Sequence, residues 1–280
     1  MASGMTHRTA PSLSLLLVAA LAPAGCDLAG GASFTEMRMA VDESVATGEA
    51  SGLEDGLVEI TTDFSIGEGL VDVAGRIRAL VESQIPCSTV EATDADTLVI
   101  DFGTLDDSCT YNGRTYAGIV TLHYEVQGET VVVEHSYDGI TNGRVTLDGD
   151  ATVTWSRGPD GGVQRHIVSA FDHHGKRGDF HSEADRTQTF RDPGSGVFTV
   201  EGTRLWQGPR GDTHAQWEAT IDVDFAVPID GSAVIDTPSG HELTLGFEQI
   251  DEDTVEVTVT GGRRGDRVFR VTSSGAVEED

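Results

Sequence analysis

The strongest constraint on this chain is a change of period. From Thr97 onward apolar residues recur at every second position: Leu98, Ile100 and Phe102 share one face of TLVIDFG, and Val120, Leu122, Tyr124 and Val126 share one face of YAGIVTLHYEV. A denser run, TVVVEHSYDGI, leads to a turn at Thr141-Asn142-Gly143. Beyond it Val145, Leu147, Gly149, Ala151, Val153 and Trp155 alternate with Thr146, Asp148, Asp150, Thr152 and Thr154, and Gly149 marks a bulge or bend in mid-strand. The pattern resumes in GVFTVEGTRLWQG and in AQWEATIDVDFAV, where Trp217, Ala219, Ile221, Val223, Phe225 and Val227 share parity, and it closes with strands at 242–247, 254–260 and 267–271. Residues 157–196 read as a polar, irregular stretch with one candidate strand at 165–171, bracketed by turns at Asp160-Gly161-Gly162 and Asp192-Pro193-Gly194.

Roughly ten strands, joined by Gly, Asp and Asn turns without crossover helices, imply antiparallel pairing with one face wet. The fold class is therefore mainly β (α+β): an extended or curved antiparallel sheet, arranged as a sandwich or partial barrel, with one or two N-terminal helices packed on it. GRVTLDGDATVTW and GVFTVEGTRLW share a strand-Gly-strand-Trp plan that reads either as a duplicated hairpin or as a product of composition.

The period is 3.6 before Thr97. Ser65-Ile66-Gly67-Glu68 forms a capping box, and Leu70, Val73, Ala74, Ile77, Leu80 and Val81 then make one apolar stripe until Pro86, so a helix is expected at about 66–85. Upstream, Ser33-Phe34-Thr35-Glu36 fits a second capping box, and Phe34, Met37, Val41 and Val45 follow at helical spacing, which predicts a short helix over about 34–47. Glu49, Glu54 and Asp55 come next among Gly and Ser and read as a flexible join, so residues 26–60 are expected to be an acidic tether, either solvated or carrying that helix. The single β-rich domain is expected over 61–280.

Eighteen Lys and Arg stand against 47 Asp and Glu, a formal charge of -29. That balance repels phosphate backbones and excludes nucleic acid as a partner. It also disfavours attraction to anionic lipid through surface charge alone, a limit that a covalent anchor escapes.

The first residues, MASGMTHRTAPSLSLLLVAALAPAGC, place His7 and Arg8 ahead of an apolar run from Leu13 to Ala22, then small residues and a cysteine. This is the order of parts of a signal peptide over 1–25, and the run is too short for an ordinary membrane span. Ala24-Gly25-Cys26 resembles the end of the lipobox of bacterial lipoprotein precursors, although Pro23 stands where that pattern has Leu. The resemblance covers about a tenth of the chain and concerns targeting only. It implies diacylglycerol on Cys26, an anchor of two acyl chains such as palmitate, with cell-envelope localisation on a bacterial membrane; plain secretion or a periplasmic location is the alternative. Asp27 leaves the choice of membrane open. With Cys26 lipidated, Cys87 and Cys109 are the remaining thiols in an oxidising setting, and a disulfide between them is expected to close a loop of about 22 residues.

Candidate chemistry is sparse. His173, His174 and His181 lie with Asp179 and other acids in FDHHGKRGDFHSEAD, a possible set of N and O ligands for a transition metal without the spacing of zinc motifs. Asp106-Asp107, Asp148-Gly149-Asp150 and Asp251-Glu252-Asp253 offer oxygen for weak Ca²⁺ binding, outside the EF-hand order. No cofactor motif appears, and no GxSxG, HExxH or phosphate loop points to catalysis. Trp155, Trp206 and Trp217 sit in expected strands, where they serve either packing or an aromatic platform for sugar or peptide. The expected function is a cell-envelope lipoprotein with a structural or interaction role and an envelope protein or glycan as partner, more consistent with binding than with an enzyme. The alternatives are an anchored or secreted hydrolase, or a sugar- or metal-binding module.

Overall fold

The computed structural model describes residues 30–61, 73–128, 130–158, 162–175, 178–190 and 195–279. The segment 1–25, Cys26, the capping box at 65–68, Leu70 and the turn residues Asp160, Gly161, Asp192, Pro193 and Gly194 lie outside the described residues. Two helices, α1 (Phe34–Thr61) and α2 (Val73–Gln84), precede the strands. These are β1 (Thr89–Ala92), β2 (Thr97–Asp101), β3 (Cys109–Tyr111), β4 (Arg114–Gln127), β5 (Thr130–Thr141), β6 (Val145–Arg157), β7 (Val163–Gly175) and β8 (Phe180–Phe190). They continue with β9 (Val197–Gly208), β10 (Gly211–Asp222), β11 (Asp230–Asp236), β12 (Glu242–Gln249), β13 (Thr254–Thr260), β14 (Arg267–Thr272) and β15 (Val277–Glu279).

All pairings between these strands are antiparallel, and the spatial order β1-β2-β4-β5 through β15 follows the sequence, with β3 paired to β4 off the path. The result is one extended sheet that is not closed into a barrel. Its edges are the short strands β1 and β15, polar and mostly exposed, which gives little template for adding a further strand.

Helix α1 differs most from expectation. It runs on through Gly48, Glu49, Gly52, Glu54 and Asp55, so the residues read as a flexible join are helical and in part buried. At 1.5 Å per residue its 28 residues reach about 42 Å. The Ser33–Glu36 capping box is formed: the Ser33 amide donates to Glu36 at 2.7 Å and the Glu36 amide to Ser33 Oγ at 3.3 Å. The two ends of the helix enter different apolar clusters. Met37, Ala40, Val41 and Val45 pack with Leu243, Leu245, Val257 and Phe269, whereas Leu53, Leu57, Val58 and Ile60 pack with Ile77 and Val81 of α2 and with Leu98, Val120 and Val133. A stripe that changes face along the helix explains why the sequence showed a helical period only as far as Val45.

The stretch read as irregular contains two long strands, β7 and β8, paired from Val163–Phe190 to His173–Phe180. Gly149 takes a φ of 143° and pairs in register with Phe171 of β7. The extra residue, however, lies across from it in β5, where the register slips between Tyr137 and Ile140. The Gly139 amide there donates to Asp148 Oδ1 at 2.7 Å.

Cys87 and Cys109 are joined, with Cα atoms 5.5 Å apart. The bond ties the end of the α2 segment to β3, whose turn into β4 uses Asn112 (φ 47°) and Gly113 (φ 75°). Both central residues have the positive φ that a type I′ hairpin requires. The closed loop spans 22 residues, for which chain entropy gives about 3 kcal/mol. Reduction is expected to lower the unfolding free energy by about that amount, read as a lower urea midpoint with reductant.

Candidate functional site: a charged cavity beneath the long helix

The inward parity of the middle strands is charged. Arg165 on β7, Arg186 and Gln188 on β8, and Arg204 on β9 are 3%, 7%, 1% and 9% exposed. Strand geometry brings them together: Gln188 stands directly across from Arg165, and Arg186 across from Gly202, two residues from Arg204. Gly202 has φ of 151°, and a Cβ on it would lie 2.3 Å from the Asp185 carbonyl oxygen, so β9 can approach β8 here only with glycine.

Helix α1 supplies the counter-charges. Glu54 and Asp55 are 2% and 5% exposed. Arg186 Nη2 lies 2.7 Å from Glu54 Oε2 and 3.1 Å from Asp55 Oδ1. Arg165 Nη2 is 3.6 Å from Asp55 and its Nε donates to Gln188, whose Nε2 donates to Asp55 at 3.0 Å. Burial, the largest influence, pushes the Asp55 carboxyl up, but Arg186, Arg165 and Gln188 outweigh it and hold the group below the usual carboxylate range. The guanidinium of Arg165 lies 4.6 Å from the Phe190 ring centre, a cation–π contact.

Three guanidinium groups therefore meet two buried carboxylates, with half-buried Glu59 also acting on Arg165, and the hydrogen-bond partnering is incomplete. Arg186 Nε and Nη1, Arg204 Nη1 and Glu54 Oε1 are buried without a hydrogen-bond partner. A buried donor left unmade costs about 1–3 kcal/mol, and more when it carries charge. Arg186 and Arg204 border a cavity of about 80 Å³ between α1 and the sheet. Thr47, Ser51 and Asp55 line it at one-turn spacing along the helix, and Phe198, Val200, Trp217 and Ile221 supply apolar wall. Thr47, Gly48, Ser51 and Gly52 are half-buried, so the cavity reaches the flank of the helix. A dry wall beside cationic donors suits the holding of an anion, and guanidinium groups, which stay charged, suit that task better than proton transfer.

Beyond it, a groove of about 500 Å³ runs along the first half of α1 and is lined by Glu43, Phe180, Trp206 and Arg210. Burial pushes the Glu43 carboxyl up to about 6, against the opposing effects of the Thr213 hydroxyl at 3.3 Å and of Arg210.

The residues nominated from sequence scatter. His173 points inward, 2% exposed, stacked on Phe180 at 4.1 Å and 2.7 Å from Ser182 Oγ. His174 lies on the opposite face, 3.2 Å from Asp179, and His181 is 2.9 Å from Asp172. Adjacent strand residues project to opposite faces, so His173 is parted from the other three. Among the described residues no group of three or more His, Cys, Asp or Glu is placed to hold a metal ion, the acidic turns included. Trp155 and Trp206 are buried, on Phe190 and Phe180 respectively, and Trp217 is half-buried beside Phe247, so the three indoles do not make a common platform. Of the cavity residues only Trp217 was nominated as a site residue from sequence; the arginines were not. Their signal was present as an arginine at an apolar parity: Arg165 with Ile167 and Phe171, and Arg204 with Phe198, Val200 and Trp206. No family model, curated protein or solved structure matches the chain.

Proposed function

We propose that the protein is a cell-envelope lipoprotein, anchored to a bacterial membrane through diacylglycerol on Cys26, whose β-rich domain acts by binding rather than by catalysis. The observation that carries the anchor is the placement of Cys26 directly after Ala24-Gly25 at the end of the apolar run. About six residues, at most about 20 Å of chain, then lead to Ala32. Ala32 is fixed where β13 ends: its amide donates to the Gly261 carbonyl at 2.9 Å, and the Arg263 amide donates to its carbonyl at 2.8 Å. Exposed Arg263 and Arg264 flank that point, and Arg267 lies 5.8 Å from the ring centre of exposed Phe34. Three arginines against one exposed carboxylate, Asp266, make this corner net basic in an acidic protein, which fits anionic headgroups, each arginine contributing about 1 kcal/mol near a charged surface. The incompletely partnered arginines of the cavity support a binding role.

Intact mass of the membrane-extracted protein tests the anchor. A chain beginning at Cys26 and carrying diacylglycerol is the expected result, whereas a chain beginning elsewhere and free of lipid would refute it.

A further inference from the structure

We propose that the cavity beneath α1 binds a small carboxylate with a short apolar tail, its oxygens accepting hydrogen bonds from Arg186 and Arg204 and its tail lying against Phe198, Val200 and Trp217. Four observations converge on this ligand class. Arg204 is more than nine-tenths buried and its Nη1 has no hydrogen-bond partner. Arg186, diagonal to it across β8 and β9, has Nε and Nη1 in the same condition, and both arginines border one cavity. Of the charged side chains that border the cavity, two are arginines, Arg186 and Arg204, and one is a carboxylate, Asp55. Finally, the rest of the lining is mostly aliphatic and aromatic, which rewards an apolar tail and gives nothing to a fully hydrated ion.

Size narrows the class further. A cavity of about 80 Å³ is roughly half the volume of an engineered apolar cavity that accepts benzene, so the fit is to carboxylates of about two to four carbons. A planar carboxylate can take parallel hydrogen bonds from a guanidinium, a geometry that a spherical halide cannot use. The site is independent of how the chain is anchored, and its failure would leave the lipid on Cys26 untouched.

The test is calorimetric titration of the intact mature protein with sodium butyrate, with acetate and hexanoate beside it, at ionic strength held constant with sodium chloride. One saturable site is expected for butyrate, with hexanoate weaker. Arg204→Met keeps the bulk of the side chain and removes its charge, and binding at least tenfold weaker is expected. Ser51→Leu replaces a small cavity-lining residue with a better helix former, and it too is expected to weaken binding at least tenfold while the thermal transition persists. Absence of saturable binding by the unaltered protein, an equal response to chloride alone, or either folded variant binding like the unaltered protein would overturn the assignment.

Discussion

Replacing Asp55 with Asn is expected to destabilise the protein by about 3–5 kcal/mol, the usual penalty for removing one partner of a buried ion pair. The substitution preserves shape and removes the charge that Arg165 and Arg186 both use, leaving Glu54 as the one fully buried carboxylate beside them. The loss should appear as a lower urea midpoint with the m-value unchanged. Arg78 and Glu82 on α2 make the contrasting case: their 2.8 Å pair has side chains 46% and 49% exposed, and Glu82→Gln should change stability by less than about 1 kcal/mol. Joint replacement, Asp55→Leu with Arg165→Met, is expected to be milder than Asp55→Asn, because two apolar side chains leave less uncompensated charge than one widowed arginine. Equal midpoints for Asp55→Asn and Glu82→Gln would mean that solvent reaches the middle of the helix.

Stability is also expected to fall steeply with acid below pH 6.5. His135 is 1% exposed, with Nε2 2.8 Å from Thr61 Oγ1 and Nδ1 3.3 Å from the Val133 carbonyl oxygen. Burial, the largest influence, pushes its pKa down to about 4; burial again leads in taking His173 down to about 3, with Arg204 adding to it. In the unfolded chain both return to the ordinary value near 6.5. Between pH 6.5 and 4 the unfolded state thus binds more protons, and stability drops as pH falls, by about 1.4 kcal/mol per pH unit for each histidine. Glu43 acts in the opposite sense. Its folded pKa, raised to about 6, makes the folded state the better proton acceptor between 6 and 4.5 and offsets one histidine across that window. Urea midpoints at pH 7 and at pH 4.5 read the net slope, and His135→Gln should remove one histidine's share. A midpoint unchanged over that interval would count against the burial of both rings.

The two ends of the sheet were legible in the sequence because their inward residues are aliphatic, as in Leu98, Ile100, Val257 and Val259. The middle was not. In β8 the inward set is Ser182, Ala184, Arg186 and Gln188, so a period of two was present without the hydrophobicity that makes it visible. The same cause hid the second half of α1. Glu54 and Asp55 read as solvated because their partners, such as Arg186, lie more than a hundred residues away, and sequence spacing carries no information about that meeting. The cysteine pair was readable on the premise that Cys26 carries lipid, which leaves two candidates, while His173 and His174, adjacent in a strand, face opposite ways.

The order of strands in the sheet also sets an order of assembly. From β4 to β15 every strand pairs with its neighbours in sequence, so each hairpin can close over a short loop as soon as its two strands exist. Docking of α1 is different in kind, because Asp55 and Gln188 are separated by 133 residues and the helix touches strands near both ends of the sheet. Although synthesised before any strand, the helix finds its full seat only after β14 is in place. The meander can therefore zip progressively, and the first of the described elements is the last to be locked, closing the molecule like a bolt slid home once the panel is built.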